Sequence, residues 1–194
     1  GTGGRRGAGT EFGRFSRRRK KQEKVEKMNA GDYIRERVLL FDGSMGTYFA
    51  EKYRDYAGAC ETANLRDPEK VKAIHREYIE AGCRALKTNT FAANIFSCGG
   101  EEKLLSDTIA SGVRLACEAA AEKEHLRTAG QDAAARDPVF VFADIGPITG
   151  REDEEIERAY LQLADLFLEY GIGNFLFETN AAADHLIRTA EYIK

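Results

Sequence analysis

The chain has 194 residues, 43% hydrophobic and 31% charged, a size and balance that exclude a fully disordered polymer and suit one globular domain, or a domain plus a tail. No apolar run approaches the roughly 20 residues of a transmembrane helix, and the N-terminus lacks the apolar stretch of a secretory signal, so a cytoplasmic protein with no membrane partner is expected. The net charge of −3 is unevenly divided: residues 1–27 carry ten Lys/Arg against three Glu, a net +7, and the remainder carries −10.

That basic stretch holds six glycines in its first thirteen positions and then Arg17-Arg18-Arg19-Lys20-Lys21. It has too little apolar surface to offset its ordering entropy, so residues 1–30 are expected to form a disordered basic extension ahead of a domain over 31–194. Charge alone would allow a nucleic-acid-binding arm, but only Phe12 and Phe15 supply aromatic interleaving, and a solvated tail or sequence upstream of a natural start at Met28 is the preferred reading.

From about residue 38 short apolar runs alternate with longer amphipathic stretches. The runs Val38–Phe41, Ala85–Thr88, Val139–Phe142 and Asn174–Phe177 have the length and the β-branched or aromatic content of strands buried on both faces, as in a parallel sheet. Between the first two, Asp67-Pro68 predicts a capped helix start, Val71, Ile74 and Tyr78 an apolar stripe, and Gly82 a stop. A longer helix is predicted over about 101–124, with Leu105, Ile109, Val113 and Ala116 on one side. A third carries Ile156, Tyr160, Leu163 and Phe167 and ends near Gly171, and a fourth begins after Asn180. The acidic residues at 152–155 and 101–102 open helices, where carboxylates favour the positive end of the dipole. The pattern is a βα unit repeated four times.

Repeated βα units build either a doubly wound sheet or a (β/α)8 barrel, and in both the functional groups gather at the C-terminal edge of the strands. Here each run ends in polar residues: Asp42-Gly43-Ser44, Thr88-Asn89-Thr90, Asp144-Ile145-Gly146-Pro147 and Glu178-Thr179-Asn180. Strand alternation pairs Leu40 with Asp42, Lys87 with Asn89, Phe142 with Asp144 and Leu176 with Glu178, so Asp42, Asn89, Asp144 and Glu178 would ring one mouth if those faces point inward. The turn at 42–47 fits neither GxGxxG nor GxxxxGK[ST], and its acidic residue argues against a phosphate. Two carboxylates with a glycine turn between them suit an amino acid, its ammonium on Asp42 and Glu178 and its carboxylate on free N–H groups. Spacing alone equally allows Asp42 and Glu178 to cap loops or to pair with Lys87.

Cys60, Cys83, Cys98 and Cys117 are spaced 23, 15 and 19 apart with no CxxC pair, so they are read as structural thiols, with no disulfide framework and no metal ligand among them. His75 and His185 on predicted helices, and His125 near a helix end, are assigned packing or surface roles.

The segments Leu40–Thr47, Ala73–Tyr78 with Ala81-Gly82-Cys83, Thr88–Phe91, Ile145–Pro147 and Glu178-Thr179, in this order, resemble the homocysteine S-methyltransferase family, including the homocysteine-binding domain of methionine synthases. The resemblance runs from about residue 34 to the end. It implies an α/β fold of the (β/α)8 TIM-barrel class, of which about the first four βα units are present, and transfer of a methyl group to the thiol of homocysteine. By the same resemblance Asp42 and Glu178 bind the substrate ammonium, Gly43 and Ser44 its carboxylate, and Thr88, Asn89 and Thr90 line the pocket. The family's zinc activates the thiol, and its cysteine ligands are expected beyond Lys194. The methyl donor would be methylfolate through cobalamin or another donor of the family. Lys87 departs from the Glu or Gln common before the Thr-Asn-Thr-Phe motif. An inward lysine also suits a Schiff-base aldolase, and a non-catalytic half-barrel that binds or self-associates through its open edges is a further alternative.

Overall fold

The computed structural model describes residues 29–128 and 137–194, with no account of side chains at 126–128. The expected basic extension therefore lies outside the described residues as far as position 28. Asn29 opens the described chain as a helix cap, its Oδ1 accepting from the Asp32 N–H at 2.8 Å, and α1 (Ala30–Glu36) follows.

Three strands form one parallel sheet in sequence order: β1 (Ala85–Lys87), β2 (Phe140–Ile145) and β3 (Phe175–Phe177). The run at Val38–Phe41 was expected to be a first strand buried on both faces. It makes only a parallel bridge from Phe41 to Ala85, supported by Ala85 N–H to Leu40 O at 3.0 Å and Asp42 N–H to Ala85 O at 2.9 Å. Val38 is 89% and Leu40 55% exposed, because this end of the sheet has β1 on one side and no described strand on the other. β3, at the opposite end, is half-buried throughout for the same reason. β1 and β2 have a neighbour on each side, and burial is deepest at Ala85, Leu86, Ala143 and Ile145.

The helices follow the periodicity closely. Pro68 begins α4 (Pro68–Glu80), although Asp67 makes no side-chain cap and pairs instead with Lys70 at 3.4 Å. The chain leaves α4 through Gly82 at φ +108°, a conformation that favours glycine. Next, α5 (Glu102–Thr128) and α6 (Asp153–Glu169) bury Leu105, Ile109, Val113, Ile156, Tyr160, Leu163 and Phe167 against Ala143 and Ile145 of β2. A capping box between Glu152 and Glu155 explains the acidic opening of α6. After β3 the chain ends in α7 (Asp184–Ile193). Between Asp42 and α4, where a glycine turn was expected, the chain forms α2 (Met45–Lys52), a 3-10 turn (Cys60–Thr62) and α3 (Ala63–Arg66). Met45 and Phe49 of α2 pack with Val71 and Ile74 of α4 and Leu115 of α5 in a second core. No helix among the described residues is long and apolar enough to cross a membrane.

Candidate functional site

Parallel pairing in sequence order brings the C-terminal ends of the strands to one edge, where a cavity of about 610 Å³ opens. All seven expected site residues line it: Asp42, Gly43, Ser44, Thr88, Asn89, Thr90 and Glu178. So do Lys87, Asp144, Cys60, Glu61 and the first residues of α2. A second depression of about 570 Å³ beside α6 has charged side chains only at exposed or half-exposed positions, with no convergent buried polar groups.

Its polar groups fall into two sets. In one, the hydrogen bonds are already spent. The Asp144 N–H donates to Thr88 Oγ1 at 3.0 Å and Thr90 Oγ1 donates to Asp144 O at 2.8 Å, so Thr88 must donate in the 2.6 Å contact between the two hydroxyls. This closed ring ties the end of β1 to β2. Asn89 is likewise engaged: Nδ2 donates to Cys60 O at 2.8 Å and Asn64 Oδ1 at 2.9 Å, and Oδ1 accepts from the Cys60 thiol at 3.1 Å. These residues wall the cavity and hold the 3-10 turn against the sheet.

The other set is charged and incompletely partnered. Asp42 Oδ2 accepts from the Lys87 N–H at 3.0 Å, and Lys87 Nζ lies 3.3 Å from each Glu178 carboxylate oxygen. The ion-pair role weighed for Lys87 thus falls to Glu178. Asp42 Oδ1 and Asp144 Oδ1 are buried and accept no hydrogen bond from the described residues. Burial, with Glu178 nearby, raises Asp42 to about 7 against the opposing pull of the Lys87 N–H and charge. Burial and the neighbouring Glu178 carboxylate also raise Asp144. Two carboxylates this starved of donors call for a cation.

On the opposite wall the chain turns into α2. Ser44 Oγ accepts from the Thr47 N–H at 3.3 Å, and the earlier amides of the first turn have no acceptor within the helix. Tyr78 of α4 braces this turn, donating to Ser44 O at 3.2 Å. A Cβ on Gly43 would lie 2.8 Å from its hydroxyl oxygen, so the close approach requires glycine. Across the mouth, Thr179 sits in the left-handed region at φ +62°, a strained conformation for a β-branched residue. The turn is held by Asn180, whose Nδ2 donates to Glu178 O at 2.9 Å and whose Oδ1 accepts from Tyr160 at 3.0 Å.

Strand alternation had placed Asp144 at the mouth without assigning it to the binding set, and its orphaned oxygen gives it that standing. Cys60 and Glu61 had no signal, since they reach the cavity from a stretch without periodicity. Cys60 is no thiolate: burial and Glu61 push it up to about 12. The described residues do not fit a zinc ion. No group of three or more His, Cys, Asp or Glu among them is arranged to hold a metal, and Cys83, Cys98 and Cys117 lie outside the cavity lining.

A model of the homocysteine S-methyltransferase family matches residues 39–192. The chain belongs to this family. Among relatives, the methionine synthase of Mycobacterium tuberculosis is 36% identical over 74 residues, 35% of this chain and 6% of that protein. The methionine synthase of Mycobacterium leprae is 35% identical over 72 residues, 34% of this chain and 6% of that one. The metallated homocysteine methyltransferase MmuM from Escherichia coli has the same fold, with a TM-score of 0.65 at 19% identity, over 81% of this chain and 59% of that chain. The apo form gives 0.62 at 22%, covering 82% and 56%. The chain thus spans somewhat more than half the length of these solved relatives.

Proposed function

We propose that the cavity binds homocysteine as the acceptor of a methyl group, and that the chain supplies the amino-acid-holding part of a methyltransferase whose product is methionine. The fold is read as the first four βα units of a (β/α)8 barrel. One observation supports the site reading: Asp42 and Asp144, each with a buried carboxylate oxygen that accepts no hydrogen bond from the described residues, line the same cavity as the Gly43–Ser44 turn and the first residues of α2. An α-amino acid matches that polarity, with its ammonium toward Asp42, Asp144 and Glu178 and its carboxylate toward the Gly43–Ser44 turn, aided by the helix dipole. Thr88, Asn89 and Thr90 shape the wall between them. Names of matched relatives, methionine synthase and homocysteine methyltransferase, support homocysteine over other amino acids.

A thiol with an ordinary pKa of about 8.5 is mostly protonated at neutral pH and is a weak nucleophile, so the reaction needs a means of removing that proton. Cys60 is not part of a metal site among the described residues, and Lys87 is committed to Glu178. The family resemblance implies zinc activation of the thiol, with methylfolate and cobalamin as a candidate donor system, and no step is assigned to either. By itself the chain is expected to bind homocysteine without turning it over.

Replacing Asp42 by Asn keeps the acceptor for the Lys87 N–H and removes the charge. Loss of a charged hydrogen bond to the ammonium, worth about 1.5–3 kcal/mol, should weaken L-homocysteine binding by roughly tenfold to a hundredfold in calorimetric titration. Unchanged affinity in this variant would remove Asp42 from the ammonium site.

A further inference from the structure

The cavity holds more carboxylates than cations. Asp42, Asp144 and Glu178 line it, and Lys87 is the one Lys or Arg among its lining residues. Lys87 is already spent: Nζ serves Glu178 and its backbone N–H serves Asp42 Oδ2. What remains is Asp42 Oδ1 and Asp144 Oδ1, both buried and both without a donor among the described residues, on residues 8% and 4% exposed. Two ionised carboxylates so placed would each leave a bare charge in a poorly solvated wall.

We infer that the unliganded cavity keeps a proton on its buried Asp42 and Asp144 carboxyls, and that the ammonium of the incoming amino acid takes over the neutralising role, so that binding expels a proton to solvent. The inference rests on the amino-acid reading above. The ammonium brings N–H donors and a positive charge to the cavity that both residues line, so proton and ligand compete to neutralise the same carboxylates. No covalent bond changes beyond the loss of that O–H.

Other titratable and charged groups surround these two carboxyls. From the 3-10 turn, Cys60 is pushed up to about 12, and Glu61 accepts from the Ala92 N–H at 3.0 Å. From α4, Tyr78 is raised by burial and by Asp42, and ahead of β1 burial pushes Cys83 up to about 12. Lys87 at the end of β1 and Glu178 after β3 hold each other as an ion pair. Burial raises both Asp42 and Asp144, and the Glu178 carboxylate adds to the rise of each.

The test is calorimetric titration of the 194-residue chain with L-homocysteine at pH 6.0, in buffers of different ionisation heat; at that pH the ligand thiol and ammonium both stay protonated. The observed heat should vary with buffer in proportion to a release of about one proton, since one ammonium supplies one positive charge. The apparent affinity should accordingly rise by close to tenfold per pH unit between about pH 5 and 7. In the Asp42→Asn/Asp144→Asn double variant neither carboxyl remains to give up that proton, and the heat of any binding should no longer vary with buffer. Measurable wild-type binding with buffer-independent heat overturns the exchange and leaves the amino-acid reading standing, as does full release retained in the double variant. A titration with no binding at all overturns the amino-acid reading itself. The wild-type buffer series decides the matter whether or not the variant folds.

Discussion

Two buried titratable residues pull the stability of this chain in opposite directions with pH. Asp42 is raised to about 7 in the fold, so the folded chain binds more protons than the unfolded one above the ordinary carboxylate value. Its contribution to stability is whole below that value and is lost as pH rises through 7. His75 is fully buried on α4 with both ring nitrogens unpartnered, and burial lowers it to about 4. Its folded pKa lies below its unfolded one, so its contribution is whole above about 6.5 and is lost as pH falls through 4, a difference worth about 3 kcal/mol. Thermal melts should therefore show Asp42→Asn gaining on the wild type from pH 5 to pH 8, and His75→Leu gaining from pH 7 to pH 5. A constant offset in either series would contradict the corresponding assignment. Asp42 was legible in the sequence because it follows an apolar run on the inward alternation. The depth of His75 was not, since a polar residue beside an apolar stripe has no periodic signature.

Among the elements, those with clear caps and long stripes matched their expected positions, as the ends of α4 and α6 illustrate. Short ones did not. α2 has eight residues, with a glycine in its first turn, and reads as a glycine loop until Ser44 is seen capping it. The Val38–Phe41 run has strand composition, but with β1 as its sole described neighbour it forms a bridge. Between these two segments lies the Gly43–Ser44 turn, which Tyr78 of α4 contacts closely. Gly43→Ala would drive a methyl group into the Tyr78 ring and hydroxyl, an overpacking expected to cost about 1–3 kcal/mol by chemical denaturation. Much of that cost should return in the Gly43→Ala/Tyr78→Phe double variant, whose missing hydroxyl relieves the shortest approach. Additive effects of the two substitutions would show that α2 and α4 are not coupled there.

For the whole molecule, the sequence carried the parallel βα arrangement and the convergence of strand ends, because both follow from order and polarity along the chain. It did not carry the charge balance inside the cavity, which depends on Lys87 reaching Glu178 across 91 positions and leaving Asp42 and Asp144 each an oxygen short. That imbalance is the core of the functional reading: the pocket is built around a missing cation. The most direct measurement is calorimetric titration of the purified chain with L-homocysteine and, in parallel, with 4-mercaptobutyrate, which keeps the thiol and carboxylate and lacks the ammonium. The account predicts binding of L-homocysteine, with 4-mercaptobutyrate weaker by about a hundredfold or more, as expected when buried carboxylates lose a charged donor. Equal affinity for the two would contradict it.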